Sequence, residues 1–262
     1  MNMNELSAKK SLGQHFLRDE SAIRRIVDMM GIEADDHVLE IGPGPGALTR
    51  YLRESVCSRL TLLEKDDRFA ALHSSCPRPG LQVIHGDALT YPWEKLAAPC
   101  RIVGNLPYNI ASPLMWDIVS RTRGYVRAVF MIQKEVADRI LAEPGSKTYG
   151  ALSVWIQSYA VPRKGFIVRP GAFSPPPKVD SAVITLAPLP RTDFPRDAAA
   201  LATLLKICFQ QRRKQLQRIL RSHFSEENIL ASLEESGIAP ARRPETLTPE
   251  EFQKLALRLF YA

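Results

Sequence analysis

Val38-Leu39-Glu40-Ile41-Gly42-Pro43-Gly44-Pro45-Gly46 is an apolar run that ends on glycines at alternate positions. It has the length of a strand and is predominantly apolar rather than alternating, as suits a strand buried on both faces. Helix-compatible sequence follows from Ala47 to Glu54. A strand that turns through glycines into a helix leaves free N–H groups at the turn, and the missing side chains let a ligand approach the backbone. The spacing is G-x-G-x-G, not the G-x-G-x-x-G of dinucleotide dehydrogenases, and Pro43 and Pro45 stiffen it.

Outward from this stretch, strand candidates fall at Leu60–Leu63, Leu81–Ile84, Arg101–Val103 and Val126–Ile132. Helix-compatible runs at Asp66–His73, Pro113–Arg121 and Lys134–Ala142 separate them. The alternation predicts a doubly wound, Rossmann-like α/β domain. A helix candidate at Leu152–Tyr159 comes next, then strand candidates Gly165–Val168 and Ser181–Leu186. Those two strands flank a stiff loop, Phe173-Ser174-Pro175-Pro176-Pro177. Pro188–Pro195 reads as a linker. Beyond it the pattern is helical, at Ala198–Arg221, Ser225–Ser236 and Pro249–Tyr261, with Thr248-Pro249-Glu250-Glu251 as a helix start. The expected division is therefore an α/β domain over 1–189 and a small helical domain over 190–262.

The chain has 262 residues and a net charge of +7, which favours a polyanionic partner. Six cations (Lys206, Arg212, Arg213, Lys214, Arg218 and Arg221) stand in one stretch without an acid. No apolar run approaches the roughly 20 residues of a membrane span, and Met1–Lys10 has no apolar core of a secretory signal. The expectation is a cytoplasmic protein without a membrane partner. Cys57, Cys76, Cys100 and Cys208 have neither C-x-x-C spacing nor histidines at ligand intervals, so no metal is expected.

The chemistry gathers at strand ends. Glu64 ends the second strand, where a carboxylate can accept from both hydroxyls of a ribose. Asp87, just past the third, could accept from a purine amino group. The fourth ends in Gly104-Asn105-Leu106-Pro107-Tyr108. The amino nitrogen of adenine is a poor nucleophile, because its lone pair is delocalised into the ring. Two acceptors, the Asn105 side-chain oxygen and a nearby backbone carbonyl, could bind its hydrogens and favour a pyramidal, reactive nitrogen. Pro107 fixes the turn, and Tyr108 offers a stacking face. With a sulfonium methyl as donor, positioning can supply most of the catalysis. An Asn-x-Pro-Tyr turn suits several amino-methylating enzymes.

Four ordered motifs narrow the choice: Lys9–Leu17 (KKSLGQHFL), the glycine loop, Asn105–Ser112 (NLPYNIAS) and Phe173–Val183 (FSPPPKVDSAV). Together the chain resembles the ribosomal RNA adenine dimethyltransferase family, and in particular its small-subunit branch, nearly end to end. The resemblance implies dimethylation of N6 on two adjacent adenosines in the hairpin near the 3′ end of 16S rRNA, in the 30S subunit, with S-adenosylmethionine as donor. It implies cofactor contacts at His15, Leu17, Gly42, Glu64, Asp87 and Asn105. Leu106 and Tyr108 would join Asn105 at the target amine, Phe173 would stack on the opposite face of the base, and Lys178 would meet phosphate. Phe209–Lys214 is similar to the family's C-terminal basic helix, so Arg212, Arg213 and Lys214 would contact rRNA. A monomer is the family-like expectation.

Three other readings share parts of this pattern. A 23S rRNA methyltransferase of the macrolide-resistance type more usually carries NIPY and lacks the long FSPPPKVDSAV segment. A DNA adenine-N6 methyltransferase could share the Asn-x-Pro-Tyr core, but no DNA-recognition domain is evident. A non-catalytic ribosome-assembly or RNA-binding factor has no need of the intact set Gly42, Glu64, Asp87 and Asn105.

Overall fold

The computed structural model of the chain describes residues 8, 9 and 12–261. Lys10 and Ser11 of the N-terminal motif, and the polar start 1–7, lie outside the described residues.

The short strand β1 (Phe16–Leu17) leads into α1 (Glu20–Met30). Asp19 caps that helix, its carboxylate accepting from the N–H of Ala22 at 2.8 Å. Ala22, Ile23, Ile26 and Met30 form its buried stripe, the spacing a one-sided helix requires. There follow β2 (His37–Ile41), α2 (Thr49–Glu54), β3 (Arg59–Glu64), α3 (Asp67–Ser74) and β4 (Leu81–His85). The alternation continues with β5 (Cys100–Asn105), α4 (Ala111–Arg121), β6 (Tyr125–Gln133) and α5 (Lys134–Ile140). Next come α6 (Ala151–Gln157), β7 (Ala160–Val168), β8 (Phe173–Ser174) and β9 (Ser181–Pro188). The chain closes with α7 (Ala198–Phe209), α8 (Leu216–Leu220), α9 (Glu226–Ser236) and α10 (Pro249–Tyr261).

The main sheet has the order β4-β3-β2-β5-β6-β9-β7. β2 pairs in parallel with both β3 and β5, and the parallel ladder extends to β4 on one side and β6 on the other. β9 runs antiparallel to β6. All five residues of β2 are buried, as expected for the central strand of a covered sheet. The order reverses at β2, so a crevice opens at the carboxyl ends of β2 and β5, where doubly wound sheets bind ligands. Gly104 of β5 lies in register with Ile41, and a Cβ there would stand 2.9 Å from the Ile41 carbonyl oxygen. Only glycine permits that approach.

Two compact units result. One holds the described residues up to Ala137 together with Arg163–Pro188; the other holds Asp138–Pro162 together with the chain from Leu189. The expected division at 189/190 assigned 138–162 to the α/β domain. The structure groups it with the helices instead, because α6 buries Leu152, Val154, Trp155 and Ile156 and packs on α7 and α10. The hydroxyl of Tyr149 also donates to the Leu247 carbonyl at 2.8 Å in that unit.

A second expectation is corrected in the same unit. Ala198–Arg221 is not one helix: α7 ends at Phe209, and α8 starts at Leu216. The N–H of Leu216 donates to the Arg242 carbonyl at 2.8 Å, so the backbone finds its partner across the unit rather than one turn back.

Candidate active site

His15, Leu17, Gly42, Glu64, Asp87, Asn105, Leu106 and Tyr108 all line one cavity at the sheet's carboxyl edge. It lies within the first unit.

Its floor is the glycine turn. Gly42 has φ +65°, a conformation that favours glycine, and no atom lies within 4 Å of where a Cβ would stand. Its N–H donates to the Leu63 carbonyl at 2.9 Å, which locks the turn to the end of β3. Glu64 is nearly buried, at 5% exposure, and each of its oxygens accepts a backbone N–H: Oε2 from Gly44 at 2.9 Å, Oε1 from Asp66 at 2.7 Å. A carboxylate has about four lone-pair sites, so these backbone bonds leave acceptor capacity for a ligand. Burial pushes the Glu64 carboxyl up, and the N–H groups of Asp66, Gly44 and Lys65 pull it back. Asp87 is held below the usual carboxylate range, first by Lys65 at 2.7 Å and then by the Leu89 N–H at 3.0 Å.

A second part of the lining is built on the close of β5. The side-chain amide nitrogen of Asn105 donates to the His15 carbonyl at 2.9 Å. An acceptor cannot face an acceptor, so the hydrogen bond fixes which end of the amide is Oδ1, and that oxygen is left for the cavity. The Leu106 N–H donates to the Met131 carbonyl at 3.0 Å, tying the turn to β6. Tyr108 shares a 2.6 Å hydrogen bond with the buried Ser181 hydroxyl, and burial pushes its phenol up. The His15 ring stacks on Tyr108 with centroids 5.6 Å apart and 25° between planes. His15 Nδ1 lies 2.8 Å from the Pro175 carbonyl and must carry the proton there.

The structure does not bring Phe173 to this cavity. β8 pairs with β1, with Leu17 opposite Phe173, and the ring sits in the hydrophobic core at 5% exposure with Leu17, Ile23 and Val183. Its apolar area is better buried among these side chains than in an open crevice. Lys178 is exposed on the loop beyond it. In the second unit Arg213 and Lys214 are exposed on the turn between α7 and α8. Arg212 is engaged within the unit instead: it donates to the Lys147 carbonyl at 2.8 Å and lies 3.7 Å from Glu245.

Sequence reasoning missed Glu40, Gln14 and Ser181. Glu40 is buried at the end of β2, accepts from the Thr49 hydroxyl at 2.7 Å, and lines the cavity. Burial pushes its carboxyl up to about 8, with the neighbouring Glu64 adding to the rise. Each of the three lies inside a stretch singled out from the sequence, but nothing in the sequence indicates the partners. Among the described residues, no group of three His, Cys, Asp or Glu could hold a metal ion. No described helix is long and apolar enough to cross a membrane.

The residues fit S-adenosylmethionine: an open glycine cradle, a carboxylate with lone pairs to spare beside it, and a second acid beyond. The sequence profile described as "Ribosomal RNA adenine dimethylase" matches residues 5–260. Ribosomal RNA small subunit methyltransferase A of Nitratidesulfovibrio vulgaris (strain DP4) is 56% identical over 252 residues, 94% of each chain. Its namesake from Bordetella pertussis is 43% identical, covering 99% of this chain and 97% of that one. Among solved structures, a dimethyladenosine transferase from Plasmodium falciparum superposes with a TM-score of 0.81 at 28% identity, over 92% of this chain and 96% of the other. The 23S rRNA methyltransferase ErmE gives 0.69 at 28% identity, over 93% and 99%. Profile, relatives and fold agree over almost the whole length, and the chain belongs to the ribosomal RNA adenine dimethylase family of S-adenosylmethionine-dependent methyltransferases.

Proposed function

We propose that this enzyme dimethylates N6 of two adjacent adenosines in the hairpin near the 3′ end of 16S rRNA, acting on the 30S subunit in the bacterial cytoplasm. The observation that carries the chemistry is the Asn105 amide, held by His15 so that its oxygen serves the cavity. When bound, S-adenosylmethionine supplies a methyl group already activated by the sulfonium. Gly42 gives that molecule backbone access, Glu64 accepts from its ribose, and Asp87 accepts from its adenine amine. Asn105 Oδ1 and the Leu106 carbonyl accept the hydrogens of the target amine and favour its pyramidal form. Tyr108, braced by Ser181, supplies a face for the flipped base. The amine loses its proton after attack, so the side chains need only position it.

The small-subunit substrate is supported by the name carried by relatives at up to 56% identity over nearly the full length. Arg213 and Lys214 are exposed to meet RNA phosphates. The test supplies purified enzyme and radiolabelled S-adenosylmethionine with 30S particles lacking the modification, with 23S rRNA and with DNA. Label should enter the two adenosines of 16S rRNA. Label in 23S rRNA or DNA alone would overturn the substrate, and no label in any of them would favour a non-catalytic assembly factor.

A further inference from the structure

Glu64 and Asn105 both line the cavity, and one residue outside its lining is linked to each, to Glu64 directly and to Asn105 through the N-terminal segment. Asp66 lies just beyond β3 and is 2% exposed. Its N–H donates to Glu64 Oε1 at 2.7 Å. Its carboxylate faces the N-terminal segment: Oδ2 accepts from Gln14 Nε2 at 3.2 Å, and Oδ1 from Lys9 Nζ at 3.2 Å. Lys9 and Gln14 are themselves joined, the Lys9 N–H donating to Gln14 Oε1 at 2.8 Å. Arg68 closes the set, with Nε 3.0 Å from Oδ1 and Nη2 2.7 Å from Oδ2. These donors, Arg68 foremost, hold the Asp66 carboxyl well below the usual range, so the anchor is ionised at neutral pH. Gln14 precedes His15, whose carbonyl holds the Asn105 amide. Leu12 to Leu17 form one wall of the cavity.

We propose that Asp66 is a positioning residue that clamps this N-terminal wall through its carboxylate while its N–H aims Glu64, so that the cofactor site and the Asn105 amide keep one register. The proposal rests on the reading of the cavity as the S-adenosylmethionine site. The Gln14 amide nitrogen donates to a carboxylate that is almost wholly buried, and a buried charged acceptor is worth more than a neutral one.

Asp66→Asn separates the clamp from the other duties of the residue. Asparagine keeps the backbone N–H for Glu64 and is as good a cap for α3, which Asp66 begins. The probe is S-adenosylhomocysteine, titrated calorimetrically into the full chain without RNA. Asp66→Asn should weaken binding by about tenfold. Gln14→Ala, which removes the partner and leaves the core untouched, should weaken it in the same direction. The double variant should bind no more weakly than Asp66→Asn alone, because both changes break one clamp. A merely structural role would lower the thermal midpoint of the free protein and leave the two losses additive. Wild-type affinity in either single variant, or full additivity, overturns the proposal. Should Asp66→Asn fail to fold, an unchanged dissociation constant in Gln14→Ala is sufficient to overturn it. Failure of the wild-type chain to bind the probe is a distinct result that removes the cofactor assignment and the clamp together.

Discussion

The side-chain amide of Asn105 and the backbone carbonyl of His15 are joined at 2.9 Å across 90 residues of sequence. The donor is the amide nitrogen, so the oxygen is the atom offered to an incoming amine. Asn105→Ala removes that acceptor, and Asn105→Asp sets a carboxylate against the His15 carbonyl. Both variants should fold, as judged by thermal melting. Both should lose methyl transfer, on the order of a hundredfold or more in kcat, as when a positioned polar group at a reacting centre is deleted. Turnover within a few-fold of wild type in Asn105→Ala would place the chemistry elsewhere.

Phe173 can be either a lid over the base or part of the core, and the two roles leave different signatures. Buried in the core that also holds Leu17, Ile23 and Val183, it should cost about 3–5 kcal/mol of stability on replacement by alanine. Urea unfolding measures this directly. A stability within experimental error of wild type, together with a raised KM for the RNA substrate, would restore the lid.

How much of this was legible in the sequence differs from place to place. The strand ends were readable because Val38–Ile41 and Leu60–Leu63 are predominantly apolar runs with acids and glycines at their carboxyl ends, and a parallel sheet gathers those ends at one edge. Phe173 was placed at the cavity by the motif around it. That motif gives no sign of the two-residue pairing with Leu17 that buries the ring. The break after Phe209 was equally hidden. Leu205, Phe209, Leu216 and Leu220 keep a helical spacing and no proline or glycine interrupts them, while the backbone partners of Leu216 and Gln217, the Arg242 and Pro240 carbonyls, lie far along the chain. The Gln14–Asp66 contact spans 52 residues, a pairing that composition and period cannot reveal.

The same break separates the cations of the second unit into two kinds. Lys214 and Arg213 are exposed, so neutralising either should weaken RNA binding at all sequences and lower the slope of log affinity against log salt by about 1. Arg212 is committed to the Lys147 carbonyl and Glu245, so Arg212→Ala should lower the stability of the helical unit with a smaller change in that slope. Equal salt slopes for Arg212→Ala and Lys214→Ala, with equal stabilities, would show that Arg212 is as free to meet phosphate as its neighbours.

Glu40 should make the enzyme's stability depend on pH. Its carboxyl rises from an ordinary value of 4.5 to about 8 in the folded chain, chiefly through burial. Between those values the folded protein holds a proton that the unfolded chain has released. By linkage, unfolding free energy therefore falls as pH rises through this window, with this group contributing a slope of about 1.4 kcal/mol per pH unit at most. The contribution is fully present below pH 4.5 and lost above about 8. Glu40→Gln keeps the volume and an acceptor for the Thr49 hydroxyl but cannot ionise. The variant should gain on wild type steadily as urea unfolding is repeated from pH 5 to pH 8, with the difference levelling above that. A difference independent of pH would mean that Glu40 is ionised throughout, and that the end of β2 presents a second carboxylate to the cofactor beside Glu64.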